Sequence, residues 1–399
     1  MNPDILAASR ARCGSATDLA GALAECRAQT LRLADAYADA LPALGVPQRA
    51  ELNPPLWELG HIGWFQEWWI ARNPVRDAGC RAEPLAPRRP SLLAGADSLY
   101  DSSAVAHATR WALALPDAQA TRDYLAGGLA ATLAHLDVAA ENDDGLYFYR
   151  LGLFHEDMHN EAAIYMANNL GFAVPDARPA QNCRSGSLKL AGGRHQMGWH
   201  GDGFAFDNEL PGRTVAIGPY EMDVAPVSNA RYAEFVEAGG YRRQEFWSEA
   251  GCAWLAQNNP AAPRFWRNAG SRREVLRFGT WVDLEPAAPA CNLTCYEAEA
   301  WCKWAGRRLP SEEEWECCAT TQPAMQWGEV WEWTASAFEP YPGFMSHPYR
   351  DYSAPWFSSR RVLRGASTAT HPRMRHPRYR NFFPPERNDI FAGFRSCAP

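Results

Sequence analysis

Two histidines four residues apart inside an apolar stripe constrain this chain more than any other feature. They lie in Leu151-Gly152-Leu153-Phe154-His155-Glu156-Asp157-Met158-His159-Asn160-Glu161. Leu151, His155, Met158, His159, Ala162, Tyr165 and Met166 recur at helical spacing, which predicts a helix with both imidazoles on one face. Positions i and i+4 stand about 6 Å apart at Cβ, so both rings can hold one metal ion from one side. Gly171 and then Pro175 mark the C-terminal end. A pair of core histidines with ordinary hydrogen-bond partners would fit the same pattern, but a third histidine favours a metal. His61 sits in Asn53-Pro54-Pro55-Leu56-Trp57-Glu58-Leu59-Gly60-His61-Ile62-Gly63-Trp64-Phe65, a strongly apolar, aromatic segment. A neutral imidazole buried there needs a partner, and a metal is a good one.

Three further helical stretches accompany the His155–His159 helix. One runs from about Thr17 to Leu44, with a stripe through Leu19, Leu23, Cys26, Leu31 and Leu33. Pro54-Pro55 opens a second, carrying Trp57, His61, Trp64, Phe65 and Trp68. Pro116 opens a third, through Tyr124, Leu125, Leu129, Leu133 and Leu136, closing near Asn142-Asp143-Asp144-Gly145. Proline-rich 74–90 and the segment 102–111 read as connections. Four helices with histidines on two of them describe a bundle with a metal in its core. Beyond residues 176–186 the texture changes to Gly, Pro, Trp and short β-rich runs. Ser187–Met197, Val215–Met222 and Arg361–Gly365 read as strands, and Ser228–Ala238 and Tyr296–Ala305 as short helices. The expected class is therefore α+β in two domains, residues 1–180 and 181–399, which suits a chain of 399 residues.

Composition narrows the partners. A net charge of −7 argues against nucleic acid, although basic residues cluster between Arg360 and Arg395. No run approaches the roughly 20 apolar residues of a membrane span. Met1 to Cys13 lacks the apolar core of a secretory signal. Eleven cysteines without framework spacing then suggest reduced thiols and a cytoplasmic protein. Cys291 and Cys295 have no second pair at finger spacing and read as core packing.

The first domain resembles the DinB-like metal-binding helix bundle. The second resembles the formylglycine-generating-enzyme/sulfatase-modifying-factor family, a modified C-type-lectin fold. That resemblance rests on Leu190–Gly198, Asp223–Asn229, Gly306–Glu316, Gly328–Thr334, Val362–Ser367 and Phe391–Arg395. In this order the two resemble the non-haem iron sulfoxide synthases of ergothioneine biosynthesis, which use O2 to join sulfur to an imidazole carbon of hercynine, the trimethylated histidine betaine. The resemblance implies Fe(II) held by His61, His155 and His159, with Glu161 and Asp157 as groups that orient the rings. It implies Tyr349 as the catalytic proton or electron donor and Tyr352, three residues on, as a hercynine contact. Met158, beside the second ligand, is a further substrate contact. Arg380-Asn381-Phe382-Phe383 replaces the family's Arg-Asn-Trp-Asp-like segment. Asn381 is kept, Phe382 keeps an aromatic face for the trimethylammonium, and Phe383 removes a carboxylate.

A pair of arginines that fixes the donor's amino-acid end also lacks a full counterpart. Leu99-Tyr100-Asp101-Ser102-Ser103 is followed only by His107 and Arg110. Diminished charge suits a neutral, hydroxyl-rich donor, and Asn53–Trp69 and Leu99–Trp111 resemble the selenoneine synthase branch, which couples hercynine to a selenosugar. Asp101, Ser102, Ser103, His107 and Arg110 are then expected to meet sugar hydroxyls. The ergothioneine-type alternative uses cysteine or glutamylcysteine. Three other readings compete. His155-Glu156-Asp157-Met158-His159 also spells the zinc-protease string, with Glu156 as general base. A formylglycine-generating activity needs a late reactive cysteine pair, and Met374–Phe383 contains no cysteine. A binding module would use the metal structurally, but three histidines without a fourth ligand do not make a closed site.

Overall fold

The computed structural model describes residues 3–270 and 272–399, apart from the side chain of Pro3. Helix α1 (Pro3–Cys13) precedes four bundle helices and one short one: α2 (Ala16–Ala40), α3 (Pro55–Gln66), the short α4 (Ala96–Tyr100), α5 (Ala118–Leu136) and α6 (Asp143–Leu170). Their starts are written locally. Ser15 and Asp18 close a capping box on α2, Pro55 takes the first turn of α3, and Asp117 caps α5. Asn142 accepts from the Gly145 amide, so the polar 142–145 run opens α6 rather than closing α5. Asn and Asp serve both turns and N-caps, and composition alone does not separate the two uses. Gly171, at φ +88, ends α6 as expected. Helix α2 packs on α6, α3 on α5, and α3 on α6.

Residues 171–186 carry no helix or strand. Beyond them the two long predicted strands are each broken. Ser187–Leu190 (β1) and Gly193–Met197 (β2) flank Gly192, and Arg213–Ile217 (β3) and Tyr220–Asp223 (β4) flank Gly218-Pro219. Gly192 holds φ +75 with its missing Cβ against Ile217 O at 2.4 Å, so the chain must turn there. Strand β1 pairs with β4 and β2 with β3. Helices α7 (Asn229–Glu237) and α8 (Glu249–Asn258) lead to a three-stranded sheet of β5 (Trp266–Ala269), β6 (Arg272–Arg277) and β7 (Thr280–Asp283). Helices α9 (Cys295–Trp304) and α10 (Glu312–Thr321) precede the central sheet. That sheet runs in the order β10 (Asn381–Phe383), β9 (Arg361–Gly365), β8 (Trp331–Ala337), β11 (Ala392–Phe394), with the β8–β11 pair parallel.

One apolar core runs through both halves, from Trp57 and Phe154 to Trp331 and Phe394. Buried polar links cross the same boundary. Arg12 pairs with Glu209 at 2.7 Å, Arg373 with Asp157 at 2.7 Å, and Trp331 Nε1 donates to Glu161 at 2.7 Å. Buried ion pairs and hydrogen bonds thus hold the helical half against the sheet half, and the middle of α6, which bears the histidines, lies against segments of the second half that carry Trp331, Tyr349 and Arg373. No described helix is long and apolar enough to cross a membrane, and all eleven cysteines are free.

Candidate metal centre

Helix α3 supplies His61, and α6 supplies His155 and His159. One ligand atom from each ring lies within 4.8 Å of the others, and no Cys, Asp or Glu among the described residues joins them. His61 and His155 are 3% and 4% exposed, while the His159 side chain is 20% exposed, so the trio opens on the His159 side. The walls are aromatic. Trp57 stacks on His61 at 4.8 Å and Phe65 on His155 at 3.5 Å, ring centre to ring centre. Both are one helical turn from His61, so α3 carries a ligand and its apolar sleeve together.

Hydrogen bonds fix the rings' tautomers. His61 Nδ1 lies 2.8 Å from Tyr100 O, and a carbonyl only accepts, so Nδ1 holds the proton and Nε2 the lone pair. A Cβ on Gly60 would stand 2.1 Å from the Tyr100 ring, and this bare glycine lets Tyr100 approach closely. His159 Nδ1 lies 2.5 Å from Glu58 Oε2 and donates to it, which leaves its Nε2 free to ligate. His155 Nε2 stands 3.2 Å from His159 Nε2, close enough to share a proton or a metal ion. Burial, and then the neighbouring His159, push His61 down to about 3, and burial holds His155 well below the usual imidazole range. Three imidazoles brought together this way, with the Nε2 lone pairs of His61 and His159 left to ligate, fit a divalent first-row metal bound on one face. Burial opposes ionisation of Glu58, but the His159 ring and its hydrogen bond outweigh burial and keep the carboxyl below its ordinary range.

The two carboxylates expected to orient the rings do other work. Asp157 pairs with Arg373 and accepts from Cys26 Sγ at 3.2 Å. Glu161 accepts from Trp331, Ser367 and Thr370. Their positions on α6 turn them away from the His155–His159 face. Glu58 takes that role for His159. Its signal was a carboxylate inside an apolar helix, one turn before a histidine. Glu156 is also committed, to Arg27 through both oxygens and to Thr30 Oγ1 at 2.6 Å, so it has no free lone pair aimed at the trio to act as a base. Replacing Glu58 with alanine should weaken metal binding about 10- to 100-fold, the usual cost of losing an orienting partner, whereas Glu58→Gln should lose less because an amide oxygen still accepts. Competitive metal titration of the two variants checks this.

The remaining expected residues divide into two groups. Tyr349 packs edge-on against Phe65 at 4.9 Å and lies 6.3 Å from the His155 ring. Burial, then Asp351 and Asp101, push its phenol upwards, so Oη keeps its proton. Tyr352 stands 6.0 Å from Tyr349, and its hydroxyl lies 3.1 Å from that of Tyr379, which donates to Met158 Sδ at 3.5 Å. Phe382 meets Tyr352 edge-on at 5.8 Å and stacks on Phe338 at 4.0 Å. Strand alternation puts Asn381 and Phe383 on the other face of β10, where Arg387 covers Phe383 at 5.1 Å. Asn381 Oδ1 accepts from the Phe382 amide at 2.9 Å. On the opposite flank, Arg110 lies 3.7 Å over the Trp57 ring and donates to Asn53 Oδ1 at 2.9 Å. Asp101 accepts from the Ser103 amide at 2.9 Å, and Ser103 Oγ donates to Asp351 at 2.5 Å. Ser102 is half-buried in the same turn, and His107 bonds Leu52 O at 2.9 Å.

Comparison with known proteins identifies the family. The sulfatase-modifying factor enzyme 1-like domain matches residues 171–327 and 324–398, more than half of the chain. The chain is 32% identical to the hercynine oxygenase of Mycolicibacterium thermoresistibile, over 95% of its own length and 94% of that protein's. It is 33% identical to the hercynine oxygenase of Mycobacterium tuberculosis, over 96% and 98%. The formylglycine-generating enzyme of Streptomyces coelicolor is 27% identical over 50% of this chain and 84% of that protein. The relatives that span both halves are hercynine oxygenases, whereas the formylglycine-generating enzyme matches only half of the chain. The chain belongs to the hercynine oxygenase family, with a sulfatase-modifying-factor domain behind a helical bundle that carries three convergent histidines.

Proposed function

We propose that this protein is a ferrous, O2-dependent enzyme that joins the selenium of a selenosugar to the imidazole carbon of hercynine. The observation that carries the reading is the three-histidine cluster, open on one side beside Tyr349, on the scaffold of a hercynine oxygenase. The helical half, residues 1–180, is read as a DinB-like bundle, residues 181–399 as its lectin-like partner, and the site of action as the cytoplasm.

His61, His155 and His159 would hold iron through Nε2. Bound there, iron supplies the redox chemistry that O2 requires and acidifies the chalcogen of the donor. The chain's residues do the rest. Trp57, Trp64 and Phe65 keep water from the buried side. Glu58 and Tyr100 O hold two rings in the ligating tautomer. Tyr349 holds a proton at Oη next to the reacting groups and gives it up as O2 is reduced. Tyr352 and Phe382 offer aromatic faces to the trimethylammonium, which has no hydrogen to donate, and Met158 adds a contact beside them, whereas Asn381 and Phe383, on the other face of β10, stay outside it. In the reaction an imidazole C–H and the Se–H are broken and a C–Se bond forms; the two electrons and two protons released reduce O2 to hydrogen peroxide, or to one water with the other oxygen atom kept on selenium as the selenoxide.

The choice of donor rests on the far flank. Arg110, the one arginine in Leu99–Trp111, is already engaged by Asn53 and Trp57. Asp101 and Asp351 both act electrostatically on Tyr349. Carboxylates and serine hydroxyls suit sugar hydroxyls and repel the carboxylate of an amino-acid thiol. Anaerobic loading with Fe(II), followed by O2, hercynine and an equimolar mixture of selenosugar, cysteine and glutamylcysteine, tests this by mass spectrometry. The selenium adduct should exceed each sulfur adduct by at least about tenfold, a donor discrimination worth roughly 1.4 kcal/mol. Sulfur adducts alone would place the enzyme in the ergothioneine branch. Peptide hydrolysis without hercynine-dependent O2 uptake would favour a metalloprotease.

A further inference from the structure

An apolar cavity reaches the same centre between α2, α3 and α6. Its volume is about 40 Å3, enough for one small molecule. Leu33, Tyr37, Leu59, Ile62, Ala163 and Met166 form its walls. Polar groups are few, and most already have a partner. Glu58 is bonded to His159. Thr30 Oγ1 donates to Glu156, and Asn160 Nδ2 donates to the Cys26 carbonyl. Tyr37 Oη, on the wall, donates to Ala163 O at 2.6 Å. Such a space offers too few hydrogen bonds to hold a zwitterion or a sugar. Apolar cavities of this kind take up small apolar molecules instead.

The proposed reaction has one small apolar reactant. We propose that this cavity is a dioxygen site, which concentrates O2 beside His159 and delivers it from the bundle side. On the reading above, the polar substrates use a separate cleft on the side of Tyr349 and Tyr352. The inference rests on the reading above for its reactant, and the cavity assigns that reactant a route of its own. Separate routes let O2 arrive while the organic substrates close the cleft. The ring of His159, in the cavity lining and the most exposed of the three, is where an occupant of the cavity meets the cluster.

The test uses xenon as an apolar probe and the full chain. Xenon NMR of the metal-free protein should show one saturable site that is lost in Ala34→Leu and in Ala163→Leu, both of which fill the cavity. In the iron-loaded enzyme the same variants should raise the KM for O2 about fivefold or more, with the KM for hercynine and the iron affinity within about twofold of the parent. Ordinary melting curves separate filling from misfolding. A parent protein with no saturable xenon site overturns the inference whatever the variants do. Variants that exclude xenon but leave the KM for O2 unchanged also overturn it. A parent that binds xenon but consumes no O2 with hercynine refutes the proposed reaction instead, and with it the assignment of O2 as occupant.

Discussion

Replacing His155 with alanine is expected to abolish turnover and to lower iron affinity by well over the roughly 100-fold that loss of an orienting partner can cost. His155 is buried at the centre of the site. It is 4% exposed, stacked on Phe65 at 3.5 Å, and 3.2 Å from the nitrogen of His159. Its loss leaves two imidazoles from different helices, which cannot define a face on a metal. The fold should survive, because the α6 carboxylates that fasten the two halves, Asp157 and Glu161, keep their partners. Iron titration and hercynine-dependent O2 uptake read the loss, and the melting temperature of the metal-free variant provides the control. Wild-type activity in this variant would remove His155 from the site.

Tyr349→Phe should lower kcat about 10²- to 10³-fold and leave the KM for hercynine within about twofold. The substitution deletes one oxygen and its proton. The ring still packs on Phe65 at 4.9 Å and lies 6.2 Å from Trp69, so the loop should keep its place. The phenol is pushed upwards by burial and by Asp351 and Asp101, which makes it a proton holder and not a phenolate. The split between kcat and KM is therefore informative. A raised KM with unchanged kcat would make Tyr349 a contact for substrate and would shift the proton donor to Tyr352 or Tyr379.

The metal cluster was legible because its signals are local and periodic. His155 and His159 needed only the helical repeat, and His61 only an aromatic neighbourhood with nothing else to satisfy it. The α+β class was legible from texture, and the family match from short segments spread over the second half. What stayed hidden depends on distant pairing. Glu58 reads as an ordinary helical carboxylate until α6 places His159 against it. Asp157 and Glu161 read as partners of the histidines because they are near in sequence, yet helical geometry turns them towards Arg373 and Trp331. Tyr379 gave no sign of its contact with Tyr352 and Met158, since those three residues come from three separate segments. The small sheet of β5–β7 was missed because its strands are short and lack clean alternation.

The central claim is that three imidazoles hold iron on one face and leave the other for substrates. Iron K-edge X-ray absorption of the anaerobically loaded protein tests it most directly, recorded before and after addition of hercynine and the selenosugar. The account predicts three imidazole scatterers throughout, oxygen from water in the resting protein, and a new iron–selenium distance once the donor is added. A first shell closed by a cysteine or carboxylate of the protein, unchanged by either substrate, would contradict it.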